Sequence, residues 1–287
     1  MNIRARMARS LGLVVLLVAP LLPVRAQVSE NKPPSVTQIL DDIKQHPGNS
    51  KLYVALGLAY WDRNDYPHAL EAFQLAVKFG PMSAEAHNWV GVATLEQGDF
   101  PGAAAEFRKA ISLDPKYARA YTNLGSALAK NGQLAEAVEI FRKALALDPK
   151  NSAARMNLAV ALRENGNAKE ALVHLRSVAE HEPNNANVQY ALGQTLQQSG
   201  DLRAATEAFQ NAVRLDPESR EGYYALGLAL KQQAASQRKP RQNAPSGPDD
   251  PYKRALQAAA QGNLKEAEQL LNEVLRKDEI RTDAIIF

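Results

Sequence analysis

One set of small and large apolar residues returns in this chain every 34 residues without a slip of register. It is clearest over residues 118–151, ARAYTNLGSALAKNGQLAEAVEIFRKALALDPKN. Tyr121, Leu124, Gly125 and Leu128 stand at i, i+3, i+4 and i+7, one face of a first helix. Gly132 is placed to stop that helix, because glycine enters the left-handed region without a Cβ penalty. Ala137, Phe141 and Ala144 then lie on one face of a second helix, which Asp148-Pro149 ends, since the residue before proline is driven out of the α region. Small residues at 125, 137 and 144 let two backbones approach while Phe141 fills the space between them. Such a hairpin cannot bury its apolar face alone and has to be stacked.

The stack is present in the sequence. One period back lie His87, Val90, Gly91, Gly98, Ala103, Phe107, Ala110 and Pro115, and two periods back Tyr53, Leu56, Gly57, Tyr60, Asn64, Ala69, Phe73, Ala76 and Pro81. Forward come Leu158, Ala159, Leu162, Gly166, Ala171, Leu175, Val178 and Pro183, then Leu192, Gly193, Leu196, Gly200, Ala205, Phe209, Ala212 and Pro217. A sixth unit opens with Tyr223, Leu226, Gly227 and Leu230. The pattern resembles the tetratricopeptide repeat. That resemblance implies an all-α fold, a right-handed superhelical solenoid of antiparallel helical hairpins.

The resemblance also implies a concave groove lined by the first helix of each repeat. Carried onto this sequence, the groove and partner-binding residues are Val54, Leu58, Trp61, Asn88, Val92, Leu95, Asn123, Lys130, Asn157, Arg163, Tyr190, Gln194, Tyr224 and Lys231. Its lining passes from apolar through polar to aromatic with glutamine. In the O-linked N-acetylglucosamine transferase family, asparagines at the slot of Asn123 and Asn157 hold a peptide backbone, so these two are expected as adjacent rungs of such a ladder. The stretch 52–61, LYVALGLAYW, is apolar on every side. Its packing face uses Tyr53, Leu56, Gly57 and Tyr60, so Val54, Leu58 and Trp61, with Val92 and Leu95, are expected to form one apolar patch. Either a partner or the chain's own N-terminal segment would cover it.

The ends read differently. Residues 1–26 have a basic start, a 14-residue apolar run from Leu11 to Val24 and Val24-Arg25-Ala26 before Gln27, the pattern of a secretory signal peptide. The run is short of the roughly 20 residues of a span and contains Pro20 and Pro23, so no stable membrane span is expected after cleavage. A Sec-type signal would place the protein in the periplasm or outside the cell. Residues 27–34 read as a flexible leader, and 35–49 as a capping helix with Ser35 at its N-cap. Residues 50–235 form the array, five full repeats plus the first helix of a sixth. Residues 236–251, with prolines at 240, 245, 248 and 251, read as a disordered loop. A degenerate hairpin spans 252–279, either completing the sixth repeat or forming a seventh, and 280–287 is a tail.

Composition narrows the chemistry. The formal charge is +3, but Arg4, Arg6, Arg9 and Arg25 belong to the signal. Subtracting those four from 34 basic residues leaves 30 against 31 acidic ones, about −1, which gives no electrostatic case for nucleic acid. Cysteine is absent, which excludes disulfides, thiolate metal sites and a thiol nucleophile. The five histidines show no metal-ligand spacing, and His87 stands at a packing slot. No phosphate loop, nucleophile elbow or dinucleotide fingerprint occurs. The expectation is therefore no enzyme, no metal and no cofactor. The chain reads as a periplasmic scaffold that binds a peptide or protein segment in its groove, in envelope complex assembly. A second reading is a non-catalytic substrate-binding subunit of a separate glycosyltransferase-like or other enzyme, and a third is self-association through exposed repeat ends.

Overall fold

The structure is a computed structural model of the chain and describes residues 34–237 and 251–283. The expected signal peptide, most of the leader, nearly all of the proline-containing loop and the end of the tail lie outside the described residues. Those described are helical hairpins and their turns. In order the helices are α1 (Val36–Gln45), α2 (Ser50–Trp61), α3 (Tyr66–Phe79), α4 (Ala84–Glu96), α5 (Phe100–Leu113), α6 (Ala118–Lys130) and α7 (Leu134–Leu147). They continue with α8 (Ser152–Glu164), α9 (Ala168–His181), α10 (Ala186–Ser199), α11 (Leu202–Leu215), α12 (Arg220–Gln237), α13 (Pro251–Ala260) and α14 (Leu264–Asp283). Two compact units divide the chain, Met1–Ala161 and Leu162–Phe287.

In the first unit α2 packs on α3, α4 on α5 and α6 on α7, and α3 and α5 each also meet the next first helix. The closeness of each pair has one cause. A Cβ built on Gly57 would lie 2.3 Å from Cε1 of Phe73, and the same test gives 2.6 Å for Gly91 against Phe107 and for Gly125 against Phe141. The rings of Phe73, Phe107 and Phe141 are fully buried in the space the missing methyl leaves open. Turn geometry follows the sequence as directly: Gly132 sits at φ +79°, and Asn64, in the same slot of the first repeat, takes a left-handed φ of 59°.

A second device recurs at the start of the first helices. Tyr53 donates its hydroxyl to the carbonyl of Pro47 at 2.9 Å, and Tyr121 does so to Pro115 at 3.3 Å. His87 lies 3.2 Å from the Pro81 carbonyl through Nε2, while its Nδ1 stands 2.7 Å from Glu106. Arg155 donates to Pro149 in the same way. The slot therefore ties each of these first helices to the turn before it. Ser35 caps α1 with a reciprocal bond pair to Gln38, and Ile39 of α1 joins Leu56 and Ala72 in a small core that closes this end of the unit.

The second unit repeats the scheme with α10 on α11 and Gly193 against Phe209. Its far end departs from it. α12 runs for 18 residues, against 12 to 14 in the first helices before it. Both α13 and α14 pack on α12, and Leu256 and Leu271 stand over Gly227 where a phenylalanine closes the glycine-bearing repeats before it. Tyr223, Leu226 and Leu230 share one core with Ala255, Ala259, Leu271 and Val274. The last pair is thus bound into the sixth repeat's core.

Candidate functional site

The first unit does not display the expected apolar patch. Val54, Val92 and Leu95 are buried, and Leu58 and Trp61 are partly so. Successive first helices lie close enough to touch, α2 with α4 and α4 with α6, which takes the apolar slots between them out of water. Trp61 meets Tyr66 of α3 edge-on, with ring centroids 4.8 Å apart, and Trp89 stacks on Phe73 at 5.5 Å. Lys130 is half-buried, its ammonium 5.9 Å from the Phe100 ring.

The asparagines are tied inward as well. Asn88, Asn123 and Asn157 are all buried. Asn123 donates its amide to Oδ1 of Asn88 at 2.9 Å, and Asn157 donates to Oγ of Ser126 at 3.3 Å. Ser126 donates its own hydroxyl to the carbonyl of Thr122 at 3.0 Å. Each of these two asparagines therefore holds the neighbouring first helix rather than standing free as a rung. Two buried donors of α4, Nδ2 of Asn88 and Nε1 of Trp89, have no partner among the described residues.

The second unit is more open. Arg163 donates to Gln194 and to Glu164, and its carbonyl accepts from Gln198 at 3.2 Å. Gln197 donates to Gln232 at 2.7 Å, so α10 and α12 are bridged by amides. Tyr190 and Gln194 are half-buried, Lys231 is exposed, and Tyr224 keeps 48% of its surface in solvent. Around the two tyrosines lies a cavity of about 300 Å³, lined by Tyr190, Arg220, Glu221, Tyr224, Ala259 and Ala260. Burial pushes the Tyr190 hydroxyl above the ordinary phenol value. Glu221 adds to that push, and Arg163 with a hydrogen bond from Gln194 works against it. Burial likewise raises Tyr117, opposed by Arg119, and Tyr223, where Glu268 adds to it.

The structure brings Tyr190 and Tyr224, both among the expected groove residues, to one cavity with four residues outside that set. Glu221 occupies the second position of the sixth repeat's first helix and could have been found there. Ala259 and Ala260 could not, since their place depends on how α13 returns along α12. Among the described residues no cluster of three or more His, Asp or Glu side chains could hold a metal ion. Nor is any described helix long and apolar enough to cross a membrane.

Family models described as tetratricopeptide repeat match residues 54–118, 95–152, 128–195, 162–230 and 252–273. Among solved structures, the chain is similar to YrrB, a TPR protein with an unusual peptide-binding site. The two share 21% identity over 70% of this chain and 100% of that one, with a TM-score of 0.56. PilF of Pseudomonas aeruginosa matches at 20% identity over 80% of this chain and 99% of its own, TM-score 0.60. TTC0263, a thermophilic TPR protein of Thermus thermophilus, matches at 20% identity over 63% and 99%, TM-score 0.53. At these identities the likeness is one of fold. Among curated proteins none matches the sequence.

Proposed function

The chain belongs to the tetratricopeptide repeat family, and on that premise we propose that it is a scaffold taking a peptide or protein segment against the first-helix face of its second unit. Proteins of this family serve as interaction scaffolds, and the fold here is of that kind. The observation that carries the reading is the contrast between the units. The same helical slots hold buried valine, leucine and asparagine in the first, whereas in the second Tyr224 and Lys231 are exposed and an open cavity lies beside Tyr190 and Tyr224. Exposed aromatic rings beside a cleft are the usual anchors of a partner. Photo-crosslinking tests this. A crosslinking side chain at position 224 should capture a partner that one at the exposed Val173, on α9, does not. Equal capture from both positions, or capture from Val173 alone, would remove the proposal.

The setting we propose is the bacterial envelope. Support comes from residues 1–26, whose basic, apolar and cleavage regions follow the order of an export signal. Intact mass of the protein from a periplasmic fraction should give Gln27 as the first residue, and a full-length chain in the membrane pellet would refute it. The array would then serve assembly of an envelope complex.

A further inference from the structure

Charge in the first unit is sorted by edge. Its helices alternate in direction, so every turn that leads into a first helix lies on one edge of the stack. In the 34-residue register these turns are 44–51, 78–85, 112–119 and 146–153. They hold six basic residues, Lys44, Lys51, Lys78, Lys116, Arg119 and Lys150, against Glu85, Asp114 and Asp148, a net charge of +3. On the opposite edge, turns 60–67, 94–101 and 128–135 hold Arg63 and Lys130 against four acids, a net −2. The sorting stops with the unit. In the second unit the same windows, 180–187 and 214–221, hold five acids against two arginines.

Most cations of the basic edge are unpaired. Lys44 is held by Asp41 at 2.7 Å, but Lys51, Lys78, Lys116 and Lys150 are exposed and make no ion pair among the described residues. Two of the acids are committed to the backbone: Asp114 accepts from the Lys116 amide at 3.0 Å, and Asp148 from the Lys150 amide at 3.3 Å. Among the lysines stand apolar side chains that packing does not cover. Met82 is 76% exposed, in the slot that Lys116 and Lys150 fill in the next two repeats, and Phe79 and Leu147 are exposed as well. Phe79 is fixed at this edge by stacking on Tyr53 at 4.9 Å, with Nζ of Lys78 5.8 Å from its ring centroid.

We propose that this edge docks on an anionic lipid bilayer, with the lysines among the headgroups and Met82, Phe79 and Leu147 at the acyl boundary. Ion pairs of exposed lysines with a flexible acidic peptide gain little in water, and such a peptide would leave the apolar tips wet. A bilayer offers both chemistries in one plane, a continuous negative surface with hydrocarbon directly beneath it. Lysine stems are long enough to keep the ammonium at the headgroups while the neighbouring apolar group goes deeper. The acidic opposite edge is repelled by the same surface, which sets the orientation of the unit. This docking is independent of the scaffold reading, which concerns the second unit.

The test is co-sedimentation of the chain from Gln27 onward, which retains every described residue, with vesicles of phosphatidylglycerol or of phosphatidylcholine. The protein should bind the anionic vesicles, less so as salt rises, and leave the neutral ones in suspension. Lys78→Gln, Lys116→Gln and Lys150→Gln together should weaken partitioning by about a hundredfold, near fivefold per cation. The same loss of charge at the exposed Lys169, Arg176 and Lys253 should change it by less than about twofold. Met82→Ser should weaken it by about tenfold at unchanged net charge. Circular dichroism and the thermal midpoint should be the same in all variants, since each side chain replaced is exposed. Equal binding to both lipids, equal losses from the two triple variants, or full binding by the first of them would overturn the inference. So would poly-glutamate that displaces the protein from the vesicles and binds it as tightly as they do, which would assign the edge to an acidic protein.

Discussion

The close approach of Gly91 to Phe107 sets up a test that works in opposite directions on two residues. In an exposed helix, replacing glycine by alanine stabilises by about 1 kcal/mol through backbone entropy alone. Here the new Cβ would sit 2.6 Å from Cε1 and 2.8 Å from Cδ1 of Phe107, a ring with no exposed surface. Non-bonded carbons settle near 3.5–4.0 Å, so the ring has to move by roughly an ångström into packed neighbours. A contact this short puts the overpacking cost in the upper part of its usual range, about 2–3 kcal/mol. The collision outweighs the entropy, and Gly91→Ala should lose about 1–2 kcal/mol. Phe107→Leu alone leaves a gap and should lose a similar amount, about 1–2 kcal/mol. Together they should lose far less than the sum, with a coupling of about 1–2 kcal/mol, because the shorter side chain leaves room for the methyl. The fourth repeat carries that combination naturally, Ala159 with Leu175. Urea unfolding followed by tryptophan fluorescence is the assay, since the two tryptophans are Trp61 and Trp89 and the latter lies two residues from the substitution. A neutral or stabilising Gly91→Ala, or strictly additive losses, would refute the close-packing argument.

Further outcomes follow from the same contacts. Asn123→Ala should lower stability by about 1–3 kcal/mol in a urea titration, because it also strips Oδ1 of the buried Asn88 of its donor; an unchanged midpoint would mean that the amide pair does not hold α4 to α6. Tyr53→Phe should lose about 0.5–1.5 kcal/mol with the bond to the Pro47 carbonyl, and a loss of zero would leave that tie without energetic content. Tyr117, Tyr190 and Tyr223 are raised by burial, so their contribution is complete below the unfolded phenol value of about 10 and is lost as pH rises through the folded values. Phenolate absorbance should therefore show a late fraction among the nine tyrosines, accompanied by falling thermal stability, and Glu221→Gln should bring part of that fraction forward.

What the sequence made legible is what recurs. Gly57, Gly91 and Gly125 face Phe73, Phe107 and Phe141 because the same missing methyl is needed each time two helices close, and a requirement repeated at a fixed interval is visible without any structure. Gly132 and Asn64 were readable as helix stops for the same reason, and Ser35 as a cap because a hydroxyl before an amphipathic run satisfies an orphan amide. The last helices were not legible in this way. α13 and α14 lack the repeated glycine–phenylalanine pair, and their packing on α12 depends on contacts between Leu256, Leu271 and Gly227 that occur once.

The first-helix slots failed as a guide in the first unit for a different physical reason. Family geometry says which direction a side chain leaves its helix, but exposure depends also on how near the next first helix stands and how far the side chain reaches. Val54, Val92 and Leu95 are short, so adjacent first helices that touch leave them no path to solvent. Asn123 and Asn157 are short too, and their amides find partners at 2.9 and 3.3 Å on the neighbouring helix. Tyr224 and Lys231 fill equivalent slots with longer side chains and keep their polar ends in water, as amphipathic side chains do. Helix α2, apolar on all sides over 52–61, has Tyr53, Val54, Leu56 and Gly57 buried and its other apolar side chains partly covered, with Trp61 held against Tyr66. An all-round apolar first helix is therefore better read as a buried element of the stack than as a docking face. The slots that bear on a partner are those of Tyr224 and Lys231, whose long side chains stay exposed where the apolar series is interrupted.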